Sequence, residues 1–419
     1  INTYIKNLKY IHNKIMDIEN NEEYSKAVIT LLSITISNMT QYNSKMSNYV
    51  LDHMVSAFIH GGLGMKFDYA EINPTLNKYV GTFDYSLDHT LNVIKTNSII
   101  YPVSTVGEGS ARKIPLPDNI ASLVITDPPY YDAYPYADLS DFFYVWFKRM
   151  IGDFYPNLFS EELTLKGEEI VQMAGRNKLY KHKTKEWFEE KMKESLIEIK
   201  RILKPEGLLV IVFAHKSTEG WEAILNAILD ADWTITSSWP LTTERSARMR
   251  AYGSAALGSS IHLVCRPKNS TIIGNWGEVL SELPKRMHNW LKRLQNDGIV
   301  GADAIFACLG PALEIFSRYS HVEKASGDIV SLSEYLEHVW ASVSKEALKL
   351  IFEEADTIGF EPDARLSAIW LWSKKTSTVD AEFNPKSSGF TLEYDTARKI
   401  AQGIGASLES MDKLIEIVG

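Results

Sequence analysis

Between Ala121 and Pro267 short apolar runs alternate with helical periods, and this alternation limits the possible folds more than any other feature of the chain. Ser122 to Thr126 (SLVIT) reads as a strand. A helix is expected from about Lys185 to Leu203, because Phe188, Met192, Leu196, Ile199 and Leu203 share one face and Pro205 and Gly207 end it. Leu208 to Ala214 (LLVIVFA) is continuously apolar, as expected of a strand covered on both faces. Helical spacing returns over Trp221 to Leu229, with strands near Trp233 to Trp239 and Ser260 to Arg266. The order strand, loop, helix, strand, helix, strand, strand predicts the second half of a doubly wound α/β sheet whose last two strands form an antiparallel pair.

The flanks read differently. Residues 1 to about 60 are expected to be helical, with Ile5, Leu8, Ile11 or His12, and Ile15 on one stripe and Tyr24, Val28, Leu31, Leu32, Thr35 and Met39 on a second. Gly61, Gly62 and Gly64 break the pattern, and Asp68 to Pro74 (DYAEINP) reads as a loop. From about Asn275 the chain is expected to be mainly helical, with Ser331 and Glu334 forming a capping box ahead of Leu336, Val339, Trp340, Val343 and Leu348. Residues 374 to 390 read as a polar loop. The division expected is 1–65 as a helical segment, 66–272 as an α/β catalytic core, and 273–419 as a helical region for DNA recognition or support.

Composition narrows the function classes. The 419 residues are 45% hydrophobic, enough for a sizeable core. Net charge is -9, which argues against a surface that coats a polyanion, so any nucleic-acid contact is local. Cys265 and Cys308 show no metal-ligand spacing and read as buried apolar residues. No apolar stretch has the ~18 residues of a membrane span and no leader opens the chain, so a cytoplasmic location and no membrane partner are expected. The chain opens on Ile1 and stops at Gly419 without a clear terminator, and it reads as a piece of a longer protein.

Asp127-Pro128-Pro129-Tyr130 follows the first predicted strand directly, at the carboxyl end where open α/β sheets bind ligands. A carboxylate and a backbone carbonyl at such a place can accept the two N–H protons of an exocyclic base amino group, whose lone pair is otherwise delocalised into the ring. Asp127 is the natural carboxylate. Pro128 offers the carbonyl, held extended by the proline that follows. Tyr130 offers a face for an extruded base, a contact worth ~1 to 3 kcal/mol. A rigid turn after a strand is the bland alternative, but the following YDAYPYADLSDFFYVWFKR is richer in tyrosines and acids than a turn needs.

With these residues in view, the chain resembles the large prokaryotic adenine-specific DNA methylases often found in phage-defence gene clusters. The matching stretches are DYAEINP (Asp68 to Pro74), ITDPPYYDAYPYADLSDFFYVWFKR (Ile125 to Arg149), RILKPEGLLVIVFAHK (Arg201 to Lys216), GSAALGSSIHLVCRP (Gly253 to Pro267), ACLGPALEIFSRYS (Ala307 to Ser320) and SGFTLEYDTARKIAQG (Ser388 to Gly403). The resemblance implies a class I (Rossmann-like) methyltransferase sheet, S-adenosyl-L-methionine as donor, and Asp127, Pro128, Pro129 and Tyr130 as the catalytic contacts. It also implies a glycine-rich donor loop and an acidic ribose contact upstream of the matched region, and neither is present. The sheet is therefore expected to lack its first strands. An upstream segment or a second polypeptide is expected to supply the donor loop. Ser110 stands where related enzymes often place an acidic residue near the donor's adenine.

Secondary signals are electrostatic. Arg176, Lys178, Lys181, Lys183 and Lys185, with His182, form the densest basic run and contain no acid, which suggests either a solvated face or phosphate contact. Arg245, Arg248 and Arg250 are expected to face the same cleft. His215, at a strand end, reads as a structural residue, as does at least one of Trp370 and Trp372. The leading reading is S-adenosylmethionine-dependent methylation of adenine N6 in DNA by base flipping. Cytosine N4 or an RNA base amino group is an alternative acceptor, and a catalytically silent nucleic-acid-binding subunit of a defence complex is the alternative of another class.

Overall fold

The computed structural model describes residues 1–50, 53–58, 63–64, 67, 71–76, 79–97, 104–176, 178–215, 218–241, 260–268, 270–299, 302–351, 407–411 and 414–418. Two compact units emerge, Ile1–Glu108 with Tyr134–Glu169, and Gly109–Ala133 with Ile170–Gly419. This differs from the expected division at 65 and 272. Residues 134–169 leave the α/β region and join the amino-terminal helices, a long-range packing choice that local periodicity does not encode.

The first unit contains α1 (Asn2–Glu19), α2 (Glu22–Thr40), a hairpin of β1 (Asn48–Val50) and β2 (His53–Val55), α3 (Phe83–Asn97) and α4 (Tyr136–Ile151). Helix α2 starts where the Asn21 side chain accepts the Tyr24 N–H at 3.0 Å, with Glu22 and Glu23 in the first turn favourably placed against the helix dipole. Leu8, Ile29, Ile36, Met150 and Ile151 form its core. Two expectations are corrected. Residues 48–50 and 53–55 pair as antiparallel strands rather than forming helix. Of the expected α2 stripe Thr35 and Met39 are buried, but Tyr24 and Leu31 are exposed, and the buried face runs instead through Ser25, Ile29, Ser33, Ile36 and Met39. Serines fill that face because their hydroxyls are satisfied locally: Ser33 donates to the Ile29 carbonyl at 2.8 Å, and Ser25 pairs with His12 at 2.7 Å.

The second unit carries β3 (Ala121–Thr126), α5 (Lys185–Ile202), β4 (Leu203–Phe213), α6 (Thr218–Asp230), β5 (Trp233–Leu241), β6 (Ser260–Pro267), β7 (Gly274–Asn275), α7 (Trp276–Asn296), α8 (Ala302–Ala307), α9 (Leu309–Ser317), β8 (Val322–Glu323), α10 (Leu332–Ile351), β9 (Ser407–Met411) and β10 (Leu414–Val418). A four-stranded mixed sheet runs in the order β3-β4-β6-β5, with β3 parallel to β4 and both other pairings antiparallel. The expected strands, helices and final antiparallel pair are all present. The region after 275 also contains the β9–β10 hairpin, which its helical reading did not anticipate. The Ser331 hydroxyl accepts the Glu334 N–H at 3.2 Å as the capping box requires, but Glu334 itself pairs with Lys324 at 2.8 Å.

One face of the sheet is closed. Leu209, Ile211, Phe213, Ile261, Leu263, Cys265, Trp233 and Ile235 are fully buried with Phe188, Leu196, Trp221, Ile224 and Ile228 from α5 and α6. Cys308 is also buried. On β4 the intervening residues are only half-buried, so the strand is not covered equally on both faces as its apolar run suggested. On neighbouring β3, Leu123 is 51% and Ile125 64% exposed. Helix α9 lies close to β5 because Gly310 has no side chain: a Cβ there would fall 2.4 Å from the Ser238 nitrogen.

The approach to β3 is lashed to α5. Arg201 donates to the carbonyls of Ile114 (3.0 Å) and Leu116 (2.9 Å) and to the Asp118 and Glu198 carboxylates, while Glu198 accepts the Ile114 N–H at 2.7 Å. Bonding to Arg201 draws the Glu198 carboxyl down from 4.5 to about 2. A depressed folded-state value means that this contribution is complete above pH 4.5 and is lost as pH falls towards 2. Glu198→Gln is therefore expected to lower the urea midpoint at pH 7, and the gap from the parent protein should narrow steadily between pH 4.5 and 2. Urea titrations across that range check it; a gap independent of pH would refute the linkage.

Candidate functional site

Strand β3 ends at Thr126 and the chain turns through Asp127–Ala133. The Tyr131 N–H reaches the Pro129 carbonyl at 3.0 Å and the Ala133 N–H reaches the Tyr130 carbonyl at 2.9 Å, so two tight turns follow one another. Tyr131 adopts a φ of 50°, the left-handed region that a bulky residue avoids, at a cost of about 1–3 kcal/mol. The neighbourhood fixes it there. Its ring is buried edge-on against Phe188 (5.2 Å) and His215 (5.6 Å), its carbonyl accepts the Gln172 N–H at 3.0 Å, and its hydroxyl donates to Glu219 at 2.7 Å. Burial, reinforced by Glu219, pushes the Tyr131 pKa up, which keeps the hydroxyl a donor.

Asp132 is held at both oxygens: His215 Nε2 lies 2.9 Å from Oδ1, and Arg176 Nη2 donates to Oδ2 at 2.9 Å. His215 is only 7% exposed. Three successive residues at the start of α6 converge on this group. Glu219 takes the Tyr131 hydroxyl, Gly220 leaves room for the His215 ring, and the Trp221 indole N–H donates to the His215 carbonyl at 2.9 Å. Trp221 also meets Phe213 edge-on at 5.0 Å, and Phe213 in turn braces the Tyr130 ring at 5.6 Å.

The four residues expected to carry chemistry thus occupy one supported loop. Asp127 is exposed, and its carboxylate accepts no hydrogen bond from the described residues. The Pro128 carbonyl likewise accepts none from them. Tyr130 is half-buried. Ser110 sits elsewhere, in an exposed turn where its hydroxyl accepts the Arg112 N–H at 3.2 Å and it bridges to Lys113.

The basic run divides. Arg176 is drawn to the loop by Asp132, while Lys178 and Lys181 are exposed. Lys185 pairs with Glu222 at 3.1 Å. Lys183 is a correction: it is 1% exposed, its ammonium 4.9 Å from the ring centre of Tyr180 and 5.5 Å from that of Trp187, so it is part of the packing and presents no charge to a phosphate. Arg245, Arg248, Arg250, Trp370, Trp372 and the 374–390 loop lie outside the described residues. Tyr131, Asp132, His215 and Glu219 were not among the expected site residues. The positive φ of Tyr131 and the partner of His215 have no local sequence signal.

No family model, curated protein or solved structure matches the chain. Among the described residues no group of His, Cys, Asp and Glu side chains is arranged to hold a metal ion, and no helix is long and apolar enough to cross a membrane.

Gly220 gives a test of the packing behind the loop. An alanine within a helix ordinarily stabilises by roughly 0.5–1 kcal/mol over glycine. Here the added Cβ would fall 2.2 Å from His215 Nδ1. Gly220→Ala is expected to destabilise instead, by about 1–3 kcal/mol, because a packed ring must move. Urea unfolding measures the sign, and a stabilised variant would show that the His215 ring is not held against α6.

Proposed function

We propose that this chain carries the acceptor half of an S-adenosylmethionine-dependent methyltransferase acting on the N6 amino group of adenine in DNA. The observation that carries the reading is the exposed, unbonded Asp127 carboxylate at the carboxyl end of a parallel strand, followed by a Pro128 carbonyl that is equally without a described partner. Those are the two acceptors an aromatic amino group needs if its lone pair is to be drawn out of conjugation. Tyr130, braced by Phe213, offers a stacking surface for a base turned out of its helix. The sheet order supports the class I reading: three strands, β3, β4 and β5, run the same way, and a reversed last strand, β6, inserts between β4 and β5.

The described residues fit the acceptor and do not fit the donor. The sequence has no glycine-rich loop directly after an apolar strand to cradle the methionine part, and Ser110 lies in an exposed turn. Among the described residues β3 pairs only with β4, and its other edge suits a further parallel strand carrying that cradle, which we assign to an upstream segment or a separate polypeptide. The same observation supports one rival, a nucleic-acid-binding subunit without methyl transfer of its own.

The deciding experiment is transfer of labelled methyl from S-adenosylmethionine to unmodified DNA, by this chain with and without its natural upstream sequence, beside Asp127→Ala. Label recovered as N6-methyladenine, dependent on the upstream sequence and reduced at least about a hundredfold by the substitution, is the expected result. DNA binding without label in either form would favour the rival, and label in RNA or at cytosine N4 would move the acceptor.

A further inference from the structure

The turn after Tyr130 is held from several directions, and no requirement of the sheet explains why. Strand β3 has already ended at Thr126, and a glycine at position 131 would make the same turn without strain. Instead a tyrosine is kept at positive φ by ring packing, by Gln172 and by Glu219, and the next residue is fixed between His215 and Arg176. The partners come from four separate stretches: 172–176, the start of α5, the end of the segment after β4, and the first turn of α6.

We propose that Tyr131, Asp132, His215 and Glu219 are positioning residues, whose shared task is to hold the Asp127–Tyr130 loop in one shape so that two acceptors and one ring meet the amino group together. This rests on the function proposed above. Asp132 is the centre of the device, because one carboxylate ties the loop to both the β4 end and the 172–176 stretch. Glu219 and Gly220 couple the two bonds: the same helical turn that receives the Tyr131 hydroxyl also seats the His215 ring. None of the four needs to touch the base. Their effect is on the spread of loop geometries, and a loop that samples several shapes loses rate at the chemical step while its encounter with nucleic acid is little changed.

Hydrogen exchange on the 419-residue chain tests the device without any assumption about activity. In Asp132→Asn the amides of Tyr131 and Ala133 should exchange about tenfold faster or more, with α9 and α10 unchanged. Unaltered exchange in the loop would overturn the proposal. If Asp132→Asn does not fold, Tyr131→Phe, which deletes one hydroxyl and keeps the ring, serves for the same comparison, with a smaller increase expected. Where the parent protein transfers methyl groups, both variants should lower kcat, Asp132→Asn by about tenfold to a hundredfold, and leave the KM for donor unchanged. An unchanged kcat would also overturn it. A parent protein without transfer would sink the proposed function, and the exchange data would still judge the clamp.

Discussion

Parallel strands are joined by no hairpin, so nothing local sets their register. In this chain the register of β3 against β4 is the constraint on which the candidate site depends. It is reached in two steps: the Asn119 and Ile120 N–H groups bond to the Arg201 and Ile202 carbonyls at 3.0 and 2.9 Å, with Arg201 and Glu198 gripping the preceding residues, and the pairing then shifts from Ala121 opposite Leu203 to Leu123 opposite Leu208. Thr126 then lies opposite Ile211. The loop from Asp127 to Asp132 consequently leaves the sheet beside Phe213, Ala214 and His215, which supply the brace for Tyr130 and the partner of Asp132. A slip of one residue would turn every β3 side chain to the opposite face and carry Asp132 away from His215.

The two edges of the sheet are treated in opposite ways. At β5 the edge is closed by α9: the Ser317 hydroxyl accepts the Ile235 N–H at 3.1 Å, Thr234 donates to the Ser317 carbonyl at 3.2 Å, and Ser238 exchanges hydrogen bonds with Ala307 and Gly310. At β3 the only strand partner among the described residues is β4. ASLVIT itself has no lysine, proline or other charge, although its pairing with β4 is irregular between Ala121 and Leu123. Apolar side chains at such an edge forgo roughly 25 cal/mol for each Å² left in water. Among the described residues this edge is left unpaired, and its position beside Asp127 is what the proposed donor-bearing strand would use.

Much of this was legible in the sequence because it is periodic or local. The strand SLVIT, the helix from Lys185, the apolar β4 and the final antiparallel pair follow from spacing and from Pro205 and Gly207. The Asp127–Tyr130 loop was legible because it is four adjacent residues directly after a strand. Its support was not. Asp132 and His215 are 83 positions apart, Tyr131 and Glu219 are 88 apart, and only the completed fold brings them together. The α2 stripe was misread for a related reason, since buried serines satisfied by the helix backbone look polar in sequence and behave as small core residues in place.

The basic run shows the same difference between counting residues and counting charges. Five cations between Arg176 and Lys185 suggest a phosphate grip when read in a line. In the fold Arg176 is spent on Asp132, Lys185 on Glu222, and Lys183 is enclosed by rings, which leaves Lys178 and Lys181 in water. Each phosphate contact releases about 0.9 of a counterion, so a stretch with two open cations supplies less than half the electrostatic attraction its composition promises. With a net charge of -9 behind it, that is too little to hold nucleic acid by charge alone. Binding productive for the proposed reaction therefore has to draw on contacts beyond this stretch, and in that proposal the loop is one source: an extruded base stacked on Tyr130 and bonded to Asp127 and Pro128 would gain affinity at the reacting group itself.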